Sequence, residues 1–294
     1  RAIASESPPG ADGGAVLVGD RMMAVVNGLS GIGKTAVIHA ACQTMVRHGA
    51  RVASGKFNQF GDSRPLWALT QALDSVIAAT LDDETALREA VVERLQQSLG
   101  VAAGALFEFL PRLEQLLGPQ PQPPTLTGEA SRMRFALLLR RLVAGLARLD
   151  KPLVLVLDDL QWADTPSLEA LRGLMRESTL RHFLIIGAYR TEAVGNTHPL
   201  HSLLSQLEAD GQNLRRVTVH AWTSRDIGQL LTAADVQSDA DSDALTGTLL
   251  KATAGNPFGV LLALRVVHQA QGLQFDERAG AWRARPERAM AALQ

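Results

Sequence analysis

Apolar positions along this chain alternate between two spacings, short continuous runs and stripes recurring every three to four residues, and the switches between them mark the elements. Residues 22–27 (Met-Met-Ala-Val-Val-Asn) are an apolar run halted by Gly28, as expected of a buried parallel strand. Val37, Ile38, Ala41, Cys42 and Met45 then recur at helical spacing within residues 34–48, closed by Gly49. Residues 50–57 predict a second strand. Residues 66–80, 84–99 and 106–117 carry helical spacings, and the Pro-rich stretch 118–124 ends them as an extended connection. A further helix is expected over 129–149, stopped by Lys151-Pro152. Leu153-Val-Leu-Val-Leu-Asp158 follows, the clearest buried strand in the sequence. Thr165-Pro166 suits an N-cap followed by proline at the first helical position. Residues 183–188 and 216–220 predict two more strands.

Beyond residue 221 the spacing turns helical. Thr223-Ser-Arg-Asp226 fits a capping box opening a helix through residue 231, and helices are expected over 245–254 and 258–271. Residues 272–275 and 281–283 flank Asp276-Glu-Arg-Ala-Gly280 as a hairpin. No internal repeat is present. Strand–helix alternation over the first two thirds predicts an open α/β fold with a mostly parallel sheet flanked by helices.

One segment carries phosphate chemistry. Gly28-Leu29-Ser30-Gly31-Ile32-Gly33-Lys34-Thr35 matches the phosphate-binding loop pattern, after a buried strand and at the start of a helix. Its glycines let main-chain N–H groups converge on phosphate oxygens, and the helix N-terminus adds partial positive charge. Lys34 is expected to reach the β- and γ-phosphates, and Thr35 to offer its hydroxyl to Mg²⁺. Downstream, Asp158 and Asp159 end an apolar strand, where bare carboxylates are costly unless met by a cation or donors. Asp158 is expected to hold the metal, and Asp159 to polarise the attacking water. Arg190 ends the apolar run that begins at Phe183, at the edge where open α/β sheets bind ligands, and is a candidate γ-phosphate sensor. Read without that context it is an exposed strand-end arginine.

Composition adjusts this picture in a few places. Lys and Arg total 29 against 30 Asp and Glu, a net charge of -1, which argues against direct nucleic-acid binding by this segment. The 46% apolar and 20% charged content is that of a globular chain, and 294 residues suggest two domains at about 150 each. A lone cysteine, Cys42, at a position expected to be buried, fits a reducing, cytoplasmic setting, and no run is long enough for a membrane helix or a signal peptide. Seven histidines show no metal-ligand spacing. Trp67, Trp162, Trp222 and Trp282 are dispersed and read as packing residues. Residues 1–20, rich in Ser, Pro and Gly and lacking an initiator Met, read as a tail or linker of an excerpted or processed chain.

Taken in order, Gly28 to Thr35, Ala53-Ser-Gly-Lys-Phe-Asn-Gln59, Leu157-Asp-Asp-Leu-Gln-Trp-Ala-Asp164, Gly187-Ala-Tyr-Arg-Thr-Glu192 and Gly255-Asn-Pro-Phe258 resemble the signal-transduction ATPases with numerous domains, the AAA-related STAND class of P-loop NTPases. More narrowly the chain looks like the ATPase module of large bacterial polypeptides that join a serine/threonine-kinase-like domain to a sensor histidine kinase. The resemblance spans residues 20–285. It implies that the strand ending at Arg190 lies between the phosphate-loop strand and the Asp158 strand. It also implies an NTPase core over 21–221 with a helical insertion at about 60–150, and a helical lid over 222–294 in which Pro257 approaches the adenine. The terminal hairpin would begin a winged-helix-like subdomain. Residues 1–20 depart from the family by lacking its Gly-Arg-Glu segment, which helps hold the base. The function implied is a Mg²⁺-dependent ATP/ADP switch with slow hydrolysis, working with other domains of its polypeptide and by self-association. A non-hydrolytic scaffold stabilised by nucleotide and a small-molecule kinase are the alternatives.

Overall fold

Strand β1 (Met22–Gly28) leads through the glycine-rich loop into helix α1 (Lys34–Arg47) and strand β2 (Arg51–Lys56). Four helices follow, α2 (Trp67–Leu81), α3 (Thr85–Leu99), α4 (Pro111–Leu117) and α5 (Gly128–Leu146), with a 3-10 segment, Gly100–Leu106, before α4. Then come β3 (Leu153–Asp158), a short 3-10 turn (Leu160–Trp162), α6 (Thr165–Arg176), β4 (Phe183–Arg190), α7 (Pro199–Ala209) and β5 (Leu214–Thr218). The last elements are α8 (Ser224–Ala233), α9 (Ala240–Thr253), α10 (Pro257–Gln269), the hairpin strands β6 (Leu273–Asp276) and β7 (Ala281–Ala284), and α11 (Pro286–Leu293). This computed structural model describes residues 21–59, 65–121, 124, 127–148 and 151–293; the tail expected over 1–20 lies outside them.

The described residues fall into two compact units. Of the described residues, the first comprises those up to Asn27 with those from Thr35 to Val217, the second Gly28–Lys34 with those from Thr218 onward. In the first, a five-stranded parallel sheet runs in the order β2-β3-β4-β1-β5, so the strand ending at Arg190 lies between β1 and the Asp158 strand, as the family resemblance implies. β3 and β4 are buried along their length except at their last residues, Asp158 and Arg190. A strand covered on both faces has no polar side to present, which is why these two runs read as continuous hydrophobics. The parallel register sets Lys56 opposite Asp158 and Leu157 opposite Gly187. The helical insertion joins the sheet through one apolar core that includes Leu69, Leu73, Leu95, Leu139 and Leu155.

Gly55 is needed for that junction. A Cβ there would sit 2.0 Å from the main-chain oxygen of Ala68 in α2. A backbone oxygen cannot swing aside, so Gly55→Ala must push α2 off β2, at about 1–3 kcal/mol. The expected result in urea unfolding is a lower midpoint with an unchanged slope; an unchanged midpoint would contradict the packing.

Several boundaries differ from expectation. Asp164, rather than Thr165, caps α6, accepting from the Ser167 N–H at 2.7 Å, because the carboxylate one residue earlier reaches that donor. Its other oxygen takes the Leu66 N–H at 3.3 Å, anchoring the approach to α2. The helix expected over 106–117 divides at Leu110, where Pro111 restarts it. Of the Pro-rich stretch, the described residues 118–121 and 124 are neither helix nor strand. Cys42 is half-buried rather than buried. Trp67 and Trp162 are partly exposed, whereas Trp222 and Trp282 pack on the second unit's core. That core gathers Ile227, Leu245, Leu249, Val260 and Val267, and Thr223 and Asp226 form the expected capping box of α8.

Candidate functional site

The phosphate loop, assigned to the second unit, is built by its main chain. Gly31 and Gly33 hold φ of +74° and +98°, a region costly for side-chain-bearing residues. A Cβ on Gly31 would press on Asn256 Oδ1 at 3.0 Å, while one on Gly33 would project into open space. Ile32 is buried and anchors the loop, while Leu29, Ser30 and Gly31 are exposed.

Four successive loop carbonyls accept from protein donors. Lys34 Nζ donates to Gly28 O at 2.9 Å and to Leu29 O at 2.8 Å. Asn256 Nδ2 donates to Ser30 O at 2.8 Å, and the Phe258 N–H to Gly31 O at 3.2 Å. These four loop carbonyls are thus turned to protein, and N–H groups at a helix start are the donors that anions use. Asn256 also caps α10, its Oδ1 accepting from the Gly259 N–H at 3.2 Å, with Pro257 buried behind it at the first helical position. Pro257 therefore belongs to the segment that braces the loop, and it is Asn256, to which sequence reasoning gave no role, that makes the bonds. An Asn-Pro pair before a helical stripe was the available signal.

In the first unit, the carboxyl edge of the sheet brings Asp158, Asp159 and Arg190 together. Asp159 follows β3 in a left-handed conformation, φ 56° and ψ 44°, and donates its N–H to Asp158 Oδ1 at 2.9 Å. Strain of this kind persists where surrounding bonds over-determine it. Gln161 Nε2 donates to Asp159 Oδ1 at 2.7 Å, and Lys56 Nζ lies 3.2 Å from Asp159 Oδ2 and 3.9 Å from Asp158 Oδ2. Arg190 Nε is 3.6 Å from Asp159 Oδ1. Burial pushes the Asp159 carboxyl up, but the Gln161 bond, the bond and charge of Lys56 and the charge of Arg190 outweigh it and hold the group below the usual carboxylate range. Lys56 and Gln161 are further residues that sequence reasoning left without a role. Asn27, the last residue of β1 in this unit, shares the edge through its 3.4 Å bond to Thr191 Oγ1.

Thr35 is exposed at the start of α1; its hydroxyl and the Asp158 carboxylate are oxygen donors of the hard type that Mg²⁺ prefers. Among the described residues no three His, Cys, Asp or Glu cluster as a metal cage. Mg²⁺ keeps waters and takes phosphate oxygens, so one or two protein oxygens of this type fit its needs.

Comparison with known proteins adds the family. The chain is 32% identical over 160 residues to hybrid signal transduction histidine kinase G of Dictyostelium discoideum, across 54% of this chain and 5% of that protein. It is 23% identical over 281 residues to the peroxide stress-activated histidine kinase mak2 of Schizosaccharomyces pombe, across 87% of this chain and 12% of that one. The chain thus spans a small part of these relatives' length. The solved Walker-type ATPase paby2304 of Pyrococcus abyssi superposes with a TM-score of 0.51 at 14% identity, over 92% of this chain and 66% of that one, a likeness of fold. Among the described residues no helix is long and apolar enough to cross a membrane. Residues 15–186 match the profile of the AAA ATPase domain. With more than half of its residues inside that match, the chain belongs to the AAA ATPase domain family.

Proposed function

We propose that the chain is a nucleotide-dependent signalling switch, a module of a larger signal-transduction protein that binds Mg·ATP, hydrolyses it slowly to ADP and differs in conformation between the two states. Family membership and similarity to segments of two histidine kinases support this reading. The observation that carries it is the phosphate loop, four of its carbonyls bonded to protein donors and the space at Gly33, next to Lys34, left open. In this reading the chain is a STAND-type ATPase. Residues 21–221 form its core, 222–294 act as a helical lid, and self-association or neighbouring domains of the polypeptide carry the output.

The roles follow from the chemistry of each group. Amides from Gly28 to Thr35 bind the phosphates, and Lys34 engages the β- and γ-phosphates. Thr35 and Asp158 hold Mg²⁺, which when bound neutralises charge developing on the phosphate oxygens. Asp159 orients the attacking water and accepts its proton, Arg190 responds to the γ-phosphate, and Pro257 lies on the adenine side. Slow turnover suits an Asp159 that is bonded to Gln161 and Lys56 and held at low proton affinity. The same engagement favours a second reading, a nucleotide-stabilised scaffold without hydrolysis.

Phosphate release and Mg·ATP titration on the wild type and on Asp159→Ala test the assignment. The expected result is affinity unchanged within about threefold, with turnover reduced by roughly 100-fold or more. Equal turnover in the two proteins would overturn the role of Asp159. A wild type whose melting temperature rises with ATP but which releases no phosphate above background would select the scaffold.

A further inference from the structure

Gln161 is one of the few polar side chains buried in the first unit, only 4% exposed, and both ends of its amide are used. Nε2 donates to Asp159 Oδ1 at 2.7 Å, and Oε1 accepts from the main-chain N–H of Arg190 at 3.1 Å. The second bond fixes the orientation of the first. A main-chain N–H requires an oxygen opposite it, so the amide nitrogen must face the carboxylate. One planar group therefore connects the carboxylate after β3 to the last residue of β4.

The main chain of Gln161 is held independently. Its carbonyl faces His198 Nε2 at 3.2 Å, while His198 Nδ1 accepts from the Leu200 N–H at 3.1 Å as the cap of α7. Since Nδ1 accepts, the proton of the neutral ring sits on Nε2 and is donated to Gln161. The short turn is thus pinned from α7, and the side chain's bonds are available to act on Asp159 and Arg190.

We propose that Gln161 is a positioning residue for phosphoryl transfer: its amide sets the rotamer of the Asp159 carboxylate and joins it to the strand end carrying Arg190, so that the water-orienting group and the γ-phosphate sensor move as one piece. The proposal rests on the reading of Asp159 and Arg190 given above. An Asp159 already in a left-handed conformation, with Lys56 on its other oxygen, has its carboxylate aimed by the bonds it accepts. Removing the Gln161 donor leaves Lys56, on a side chain that is 60% exposed, as the closest remaining partner of that carboxylate. Misplacement of a reacting group by about 1 Å costs on the order of 100-fold in rate.

A double-mutant cycle on phosphate release tests this, with nucleotide affinity and thermal melting measured on every variant. Gln161→Met, similar in shape but without either bond, is expected to lower kcat by about 10- to 100-fold. Its Mg·ATP affinity should stay within about threefold of wild type, since both bonds of the amide go to the Asp159 carboxylate and the Arg190 main-chain N–H rather than to a group proposed to bind phosphate. Combined with Asp159→Ala it should add nothing, because a residue acting through Asp159 has no effect once that carboxylate is gone. Gln161→Glu keeps an acceptor for the Arg190 N–H but sets a like-charged oxygen against Asp159. It should lose kcat as Met does, and it serves if the Met variant does not fold. Wild-type turnover in Gln161→Glu, or a full additional loss in the Asp159→Ala background, would reduce Gln161 to a strand-end cap and overturn the proposal. Wild-type turnover in Asp159→Ala alone would instead remove the reading on which it rests, so the two failures are distinguishable.

Discussion

Lys34→Ala is expected to weaken Mg·ATP binding by a factor between roughly 30 and several thousand, corresponding to the 2–5 kcal/mol typical of deleting one partner from a desolvated charge pair. The ammonium at the start of α1 donates to Gly28 O and Leu29 O at 2.9 and 2.8 Å. It thereby holds a cation beside the loop whose N–H groups are proposed to bind the phosphates. Truncation removes that charge and unties two loop carbonyls at once, so the deficit combines a lost attraction with a less ordered cradle. Titration of nucleotide into wild type and variant reads the effect directly. Thermal melting without nucleotide measures the loop's own share, which should be small because Ile32 and the Asn256 bond to Ser30 remain. Affinity unchanged by the substitution would remove nucleotide binding at this loop.

Which parts of the molecule could be read in advance follows from how local their physics is. β3 and its two carboxylates were legible because a strand buried on both faces must be apolar throughout, and the polar break at Asp158 can then only be its end. The α8 capping box was legible because both of its bonds lie within four residues. The phosphate loop combines glycines, a lysine and a hydroxyl at fixed offsets, a local pattern. By contrast α7 passed unseen, as an eleven-residue helix whose start depends on the His198 ring as its cap. The 3-10 segment before α4 is set by packing in the helical insertion rather than by its own spacing. Lys56 reaches the acidic pair only because the β2–β3 register sets it opposite Asp158, and Asn256 lies more than two hundred residues from the Ser30 carbonyl it holds. Roles created by such long-range pairings have no signature in the residues nearby.

Gly255→Ala is expected to damage the second unit and the loop together. α9 ends at Ala254 in a left-handed conformation, φ 48°, and Gly255 continues there at φ +72° before Asn256 opens α10. A Cβ on Gly255 would stand 2.1 Å from the main-chain oxygen of Trp222, whose own N–H donates to Gly255 O at 2.8 Å. The substitution therefore pays about 1–2 kcal/mol for left-handed backbone and about 1–3 kcal/mol for overpacking against an atom that cannot rotate away. Relief requires the turn to shift, and the turn carries Asn256 and Phe258, the donors to Ser30 O and Gly31 O. Unfolding of the second unit should become easier by about 2–5 kcal/mol, seen as faster hydrogen exchange over α9 and α10 and a lower melting transition. Mg·ATP affinity should fall in parallel, because a loop deprived of two carbonyl partners must be ordered at the expense of binding. Loss of stability with full nucleotide affinity would separate the turn from the loop and show that Asn256 braces only its own helix.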